Sequence, residues 1–209
     1  MRLGDQTELS PRAQRFLSTL ERRPAVPTAE VEAIITARGF PCFAPWLEFH
    51  ERYAGYVLRG NDWFILGLVH RNSYWFGPNY PDVEAEIDGK TWYITCADGH
   101  PSYNYRLDNA GEFLGWPAES FDIHIERSAL WWEFRQRGGV RVWSVDELRG
   151  PVGRATFERA VKQHLITEAC DRFFRYYVSD AHFVVERVKT GELRLGYDRV
   201  KARRTRRCT

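Results

Sequence analysis

The amino-acid sequence predicts an α+β fold, in which a helical pair and further helices pack on an antiparallel β-meander. Two changes of hydrophobic period indicate this class. Apolar residues recur with helical spacing over residues 27–55 and again after Ser120, whereas residues 56–115 show the alternation of half-buried strands. A C-terminal extension that consists of one helix plus a hairpin is expected after residue 150.

Three helices are predicted in the first 55 residues. Residues 1–26 form a charged helical lead-in, whose helix starts at Ser10-Pro11. The next two helices make the pair, and each carries one apolar stripe: Val31, Ile34 and Ile35 on the first, Trp46, Phe49 and Tyr53 on the second. Their ends carry capping signals: Thr28 as an N-cap, Pro45 in a first turn, and Gly39 and Gly55 as C-terminal breaks.

Hairpin signals dominate residues 56–115. Strands at 56–58 and 63–69 flank a turn at 60–62, and strands at 83–87 and 91–96 flank Asp88-Gly89 as a two-residue turn. Residues 103–107 alternate strictly and extend the second hairpin into a meander over 83–115. Residues 71–82 are rich in Asn, Gly and Pro and are predicted to form a loop. The aromatic side chains of this loop either close over the core or contact a partner.

The C-terminal part is predicted to contain two more helices and a last hairpin. Ser120 caps a helix over 121–134, and a short strand follows at 140–143. Gly150-Pro151 is the best internal boundary, after which a helix over about 155–177 precedes a hairpin of 183–185 and 193–195. The predicted organisation is a lead-in (1–26), an α+β domain (27–150), a helix–hairpin extension (151–200) and a disordered basic tail (201–209).

The composition is that of a globular protein with an aromatic core. Apolar residues make up 44% of the 209 residues, and aromatic residues reach 15% against a single Met. The longest apolar run, residues 63–69, is far shorter than the roughly 20 residues of a membrane span. The N-terminus lacks the apolar stretch of a signal peptide, and the cysteines are expected to be reduced. The expected location is therefore the cytoplasm.

The near-neutral total charge of +2 is the sum of two parts of the chain with opposite net charge. Residues 1–150 carry 16 basic against 21 acidic side chains, whereas residues 151–209 carry 14 basic against 7 acidic side chains. An asymmetry of this kind indicates how the protein meets partners rather than how it folds.

Patterns that indicate catalysis or metal binding are weak. The four cysteines form no Cys-x-x-Cys pair: Cys42, Cys96, Cys170 and Cys208. The spacing of the histidines does not support a zinc site either. Cys96, His100 and Asp98 could make a nucleophilic set, but burial of Cys96 on an apolar strand would raise its pKa and leave it inert. His124 lies one residue from an apolar helix face and is typical of a boundary position. No catalytic residue, metal or cofactor is predicted.

An acidic run on the second hairpin is more informative. Asp82, Glu84, Glu86 and Asp88 recur at a spacing of two, which places four carboxylates on one face of a strand and apolar residues on the other. This face is either an ordinary solvated surface or a surface for a basic partner. The basic tail leaves two interpretations open as well, a solvated end or a weak, salt-sensitive contact with nucleic acid.

Three segments have a spacing that is found together in one superfamily. They are Pro41…Trp46-Leu47-x-Phe49-x-x-x-Tyr53-Ala54-Gly55, then Ala97-Asp98-Gly99-x-Pro101-Ser102-Tyr103…Leu107-Asp108-x-x-Gly111-Glu112-Phe113, then Ala118-Glu119-Ser120-Phe121-Asp122-x-x-Ile125-Glu126. They resemble the Pro…Phe-Leu…Tyr-Asn-Gly run, the Leu-Asp-x-x-Gly turn and the closing Ala-x-Ser-Phe helix of the SUKH superfamily. The match covers roughly residues 27–134, and this chain has Ala-Gly where Asn-Gly is usual.

The resemblance implies an α+β fold and, in bacteria, an immunity protein that binds and neutralises a secreted polymorphic toxin without catalysis. On that interpretation the partner is a toxin domain, not nucleic acid or a membrane. The candidate toxin-binding residues are the acidic run and the neighbouring aromatics: Asp82, Glu84, Glu86, Asp88, Tyr74, Trp75 and Tyr80. The alternative is a small enzyme or nucleic-acid-associated factor that uses His100, Asp98 and the basic C-terminal segment.

Overall fold

The structure is a computed structural model that describes residues 8–59, 63–73, 77–98, 105–114, 118–136, 140–143, 155, 165–178, 182–189 and 192–198. It has an α+β fold of helices and antiparallel sheets, as the sequence predicts. None of the helices in these ranges combines the length and the apolar character needed to cross a bilayer. The tail at 201–209 and the boundary at Gly150-Pro151 lie outside the described residues.

In the described ranges, three helices come first and eight strands follow. A fourth α-helix then precedes four more strands. The helices are α1 (Pro11–Ser18), α2 (Thr28–Ala37), α3 (Ala44–Tyr53) and α4 (Phe121–Gln136), with a short 3-10 helix at Thr167–Ala169. The strands are β1 (Val57–Arg59), β2 (Trp63–Leu66), β3 (His70–Ser73), β4 (Gly77–Asp82), β5 (Ala85–Asp88), β6 (Thr91–Thr95), β7 (Ala97–Asp98), β8 (Arg106–Asp108), β9 (Val140–Trp143), β10 (Phe174–Val178), β11 (His182–Arg187) and β12 (Glu192–Asp198).

The chain divides into two compact units. Residues 17–121 form the first, here called the central unit, and residues 1–16 together with 122–209 form the second, here called the terminal unit. These limits differ from the predicted boundary at residue 150. In particular, β9 pairs with β12, so the strand at 140–143 belongs to the same sheet as the C-terminal hairpin.

The helical pair of the central unit forms as predicted, with one correction at its start. Val31 and Ile35 in α2 are fully buried, and Gly39 ends the helix at a positive φ of 81°. Thr28 is not the N-cap, because the helix already includes it and Pro27 occupies that position. The carbonyl of Pro27 accepts hydrogen bonds from the backbone N–H groups of Glu30 and Val31, which draws Thr28 into the first turn.

Gly55 ends α3 at a position where no other residue fits. Its φ is 86°, and a Cβ atom there would overlap the backbone carbonyl of Arg23. The same two residues are joined by a hydrogen bond of 2.8 Å from the N–H of Arg23 to the carbonyl of Gly55. Glycine is therefore required both for the left-handed turn and for the close approach of two backbone segments.

The strands of the central unit form three small sheets, with orders β1-β2-β7, β3-β4 and β5-β6-β8. The predicted hairpins β1–β2 and β5–β6 are confirmed. Between β6 and β8, however, β7 leaves the predicted meander and pairs with β2 through Ala97 and Leu66. The turn of the second hairpin is Gly89-Lys90 rather than Asp88-Gly89, because Asp88 is already paired with Thr91.

Residues 71–82 are not the predicted loop. Most of them form the hairpin of β3 and β4, in which Asn72 lies opposite Pro78. Proline lacks the N–H that a central strand needs on both sides, whereas each strand of a two-stranded sheet has one unpaired side on which proline is tolerated. Composition alone therefore indicated a loop where the backbone forms a two-stranded hairpin. Tyr74 and Trp75 lie outside the described residues.

Large aromatic rings fill the core of the central unit. Phe121, at the start of α4, contacts Phe49, Tyr53 and Phe113 with ring centroids 4.7, 4.9 and 5.0 Å apart. Trp46 is fully buried, and its indole N–H donates a 2.7 Å hydrogen bond to the backbone carbonyl of Asp108. The ring therefore joins α3 to the turn that follows β8.

The terminal unit combines residues 11–16 of α1 and residues 122–136 of α4 with a four-stranded sheet of order β10-β11-β12-β9. The predicted start of α1 at Ser10-Pro11, the helix after Ser120 and the last hairpin are all confirmed. One apolar cluster lies around α4 and β10. Its buried members are Leu130, Phe134, Ala169, Cys170, Tyr176 and Val185.

The predicted helix over about 155–177 is wrong for its described residues 165–177. There the chain makes the 3-10 helix and then β10, whose partner is β11. Aromatic residues and Val favour a strand at 174–178. In addition, the Oδ1 atom of Asp171 accepts hydrogen bonds from the N–H groups of Phe173 and Phe174, which helical bonds would otherwise use. Residues 156–164 lie outside the described part.

Candidate protein-binding surface

The structure separates the predicted acidic run into two places. Asp82 ends β4, and only the backbone of Asp82 and Tyr80 is described. Glu84 precedes β5, and Glu86 and Asp88 lie on β5 itself. The four carboxylates therefore do not share one strand, which corrects the prediction. Glu84, Glu86 and Asp88 are all exposed, and their spacing of two keeps them on one face.

The acidic face continues across the sheet with polar residues. Glu86 lies opposite Tyr93, which lies opposite Asp108, and Asp88 lies opposite Thr91. The guanidinium group of Arg106 on β8 forms an ion pair with the carboxylate of Glu86. Because both groups are in contact with solvent, this pair reduces the local negative charge without removing it.

The opposite face of the same hairpin carries an exposed apolar side chain. Ile87 is 54% exposed, although it lies on the side where Ile94 and Leu107 are buried. Trp92 is directly opposite Ile87, and its ring contacts Phe40 edge-on with centroids 6.2 Å apart. Sequence reasoning placed Ile87 on the apolar face of the strand and did not single out Phe40 or Trp92. The sequence signal for the exposure of Ile87 was its position next to Asp88, at which β5 ends and the turn begins.

Phe40 belongs to the elbow between α2 and α3. The residues of this elbow, from Phe40 to Phe43, are all half-buried. Cys42 lies among them, and burial, followed by the negative charge of Glu32, raises the pKa of its thiol. A raised pKa disfavours the reactive thiolate, so the elbow offers apolar contact area rather than chemistry.

The candidate nucleophilic set is described only in part. Cys96 is fully buried, and that burial raises the pKa of its thiol, as the sequence predicts. Asp98 lies in β7 with only its backbone described, and His100 lies outside the described residues. Across the described ranges, no three His, Cys, Asp or Glu side chains are grouped so that they could hold a metal ion.

Two histidines are held in their neutral form. The Nε2 atom of His50 lies 2.8 Å from the carbonyl of Val26, and the Nδ1 atom accepts a 3.1 Å hydrogen bond from the N–H of Leu68. Burial lowers the pKa of His50. The pKa of His124 is lowered as well, first by burial and then by the nearby Arg127. Neutral His50 thus serves as a connector between two backbone segments.

The terminal unit contains a buried ionic network that sequence reasoning missed. Glu126 accepts hydrogen bonds from both the N–H and the hydroxyl of Ser10, each at 2.6 Å. Arg127 forms a 2.6 Å ion pair with Asp171 and donates from Nε to the carbonyl of Ala169. These contacts join residues more than 40 positions apart, which no local pattern indicates. They hold the unit together and face no exposed surface, since all three charged residues are buried.

The surface formed by β5 and β6 thus combines accessible negative charge with Ile87, the most exposed large apolar side chain among the described residues. No protein-family model, curated protein or solved structure matches the chain.

Proposed function

We propose that the protein is a non-enzymatic immunity protein, which binds a toxin domain of a bacterial polymorphic toxin system and neutralises it by covering it. The observation that carries this proposal is the β5–β6 hairpin, on which three carboxylates and the side chain of Ile87 are exposed. Interfaces typically combine apolar and polar contacts, and the edge strand β5 presents carboxylates on one face and Ile87 on the other.

The residues that resemble the SUKH pattern support the proposal through their common location. Trp46 bonds to the carbonyl of Asp108, and Phe121 packs against Phe49 and Tyr53. Gly111, in the same turn as Asp108, lies so close to Pro45 that an added Cβ atom would be 3.0 Å from the proline ring. Segments far apart in sequence thus meet in one core, which is what a shared scaffold requires. The β5–β6 surface lies outside this set and is available for a specific partner.

Charge gives the surface a role in partner choice. Carboxylates at Glu84, Glu86 and Asp88 attract a domain with a basic surface and speed its diffusional encounter. A buried apolar contact at Ile87 would then slow dissociation. The two effects are separable, because the first depends on salt and the second does not.

The proposal predicts that a toxin domain is encoded beside the gene, and the test is co-expression of this protein with that domain. We expect growth to be rescued and the two chains to elute together in size-exclusion chromatography. Reversing Glu84 and Asp88 to Lys should slow association at least about tenfold at low salt and weaken its salt dependence. These two positions leave the ion pair between Glu86 and Arg106 intact.

A matched control reverses two other exposed carboxylates, Glu48 and Glu51 on α3. It changes the net charge by the same amount on a different element. Equal weakening by both double variants would show that total charge, and not the hairpin, determines binding. Absence of both rescue and a complex for the parent protein would overturn the proposed function.

A further inference from the structure

We propose that β5 is a docking edge, beside which an extended basic segment of the toxin domain adds as a further strand. This inference rests on the proposed function, since it names the way in which that partner is held. It predicts backbone hydrogen bonds between the two chains, in addition to side-chain contacts with the carboxylates and Ile87.

The backbone of β5 has free bonding directions toward solvent. The N–H of Thr95 donates a 2.9 Å hydrogen bond to the carbonyl of Glu84. Because inward pairing recurs at every second residue of an antiparallel ladder, Glu86 and Asp88 also pair toward β6. The N–H and C=O groups of Ala85 and Ile87 therefore point away from the sheet.

The other side of this sheet is already covered. The N–H of Leu114 donates to the carbonyl of Arg106 at 2.9 Å, and the N–H of Asp108 donates to the carbonyl of Glu112 at 3.0 Å. In the described part of the sheet, β5 is thus the outermost strand on the uncovered side. Residues 86–88 are exposed, so an incoming strand meets solvent there rather than protein.

The side chains of β5 select what can be added. One face carries the carboxylates of Glu84, Glu86 and Asp88, and the other carries Ile87 beside Trp92. Directly opposed side chains of an added strand share these faces. The matching segment therefore alternates Lys or Arg with apolar residues.

A second copy of this protein is a poor occupant of the same edge. Antiparallel pairing of β5 with β5 of another copy places carboxylates opposite carboxylates on one face. Charged side chains on an edge strand are a common device against such self-association. The carboxylates thus oppose self-pairing and favour a basic partner.

Synthetic peptides test the edge without the toxin. The probe is the peptide Lys-Val-Lys-Val-Lys-Val, and its control has the same composition in blocks, Lys-Lys-Lys-Val-Val-Val. In an NMR titration of the full chain, we expect the alternating peptide to shift and protect the amides of Ala85 and Ile87. The block peptide should bind at least about tenfold more weakly. Equal affinity of the two peptides would show a purely ionic contact and overturn strand addition.

Proline variants test the same edge with the toxin domain. Ile87→Pro and Ala85→Pro each remove one outward N–H, and proline is tolerated on edge strands where the N–H faces solvent. Ile87→Ala is the matched control, since it removes the side chain and keeps the N–H. We expect both proline variants to dissociate at least about tenfold faster than Ile87→Ala, with unchanged circular dichroism.

The outcomes separate this inference from the proposed function. If the parent binds the toxin domain and both proline variants bind equally well, strand addition is overturned and the proposed function stands. If the alternating peptide binds at β5 but the toxin domain does not bind at all, the edge stands and the proposed function falls. If a proline variant loses its fold, the peptide titration of the parent decides.

Discussion

The two units of the molecule bury different kinds of polar group beside their apolar cores. In the described part of the central unit, the buried polar side chain is His50, which is neutral and bonded to backbone at both ring nitrogens. The terminal unit buries Glu126, Arg127 and Asp171. Packing of aromatic rings thus specifies the fold of the central unit, whereas pairing of buried charged groups helps to specify the fold of the terminal unit.

This difference predicts different responses to mutation. A core of rings loses stability in proportion to the volume removed. A buried ion pair behaves otherwise, because removal of one partner leaves a charge without compensation, whereas removal of both charges costs little. Mutations in the two units should therefore differ in both the size of the loss and its response to a second mutation.

The largest loss is expected for Trp46→Ala in the central unit. The variant removes a fully buried ring, which costs about 3–5 kcal/mol of unfolding free energy. It also leaves the carbonyl of Asp108 without the indole donor, at a further cost of about 1 kcal/mol. Urea unfolding measures the loss. Trp46→Phe keeps an aromatic ring and should lose no more than half as much unfolding free energy as Trp46→Ala. An Ala variant within about 1 kcal/mol of the parent would contradict a ring-filled core.

The second prediction concerns Arg127 and Asp171 in the terminal unit. Arg127→Met leaves the Asp171 carboxylate buried without its ion pair, and we expect a loss of about 3–5 kcal/mol. Adding Asp171→Asn should recover most of that loss. The reason is that Asn has no charge and still accepts hydrogen bonds from Phe173 and Phe174.

Hydrogen exchange of the Phe173 and Phe174 amides, combined with urea unfolding, reports on this unit specifically. The two single variants and the double variant form a double-mutant cycle. A double variant no more stable than Arg127→Met would show that the charges contribute more than mutual compensation. The contrast between the two units would then not hold.

The third prediction is an acid sensitivity of the central unit. The folded-state pKa of His50 is lowered by burial below its ordinary value of 6.5, so the unfolded chain takes up a proton first as the pH falls. The stabilising contribution is complete above pH 6.5 and is lost as the pH falls from 6.5 toward the folded-state pKa. The slope is at most about 1.4 kcal/mol per pH unit.

Stability curves of the parent and of His50→Gln between pH 8 and pH 4 check this. Gln retains a donor and an acceptor but does not titrate, so its curve should be flatter below pH 6.5. His124 in the terminal unit also has a lowered pKa and contributes with the same sign. Unchanged steepness in His50→Gln would show that the acid sensitivity arises elsewhere.

The smallest effect is expected for the exposed ion pair on the candidate surface. The side chains of Glu86 and Arg106 are 60% and 26% exposed, so solvent screens their attraction. Glu86→Gln should therefore change the unfolding free energy by less than about 1 kcal/mol. A loss as large as that of Arg127→Met would remove the distinction between exposed and buried charges in this protein.

Local sequence accounts for the elements that depend on neighbouring residues. The α+β class, the breaks at Gly39 and Gly55, and the hairpins β5–β6 and β11–β12 follow from periodicity and turn chemistry. The exposure of Glu84, Glu86 and Asp88 was predicted for the same reason, since a spacing of two sets the face of a strand whatever it packs against. The toxin partner stays a prediction.

Tertiary structure decided which elements meet. In the described part of the predicted helix over about 155–177, it produced a 3-10 helix and β10 instead, because pairing with β11 and the hydrogen bonds to Asp171 outweigh the helical pattern. It also brought Arg127 to Asp171 and left Ile87 uncovered at the sheet edge. A sequence sets backbone preferences and the alternation of faces over a few residues. The partner of each strand and the burial of each face depend on packing between distant segments, so only the folded chain shows them.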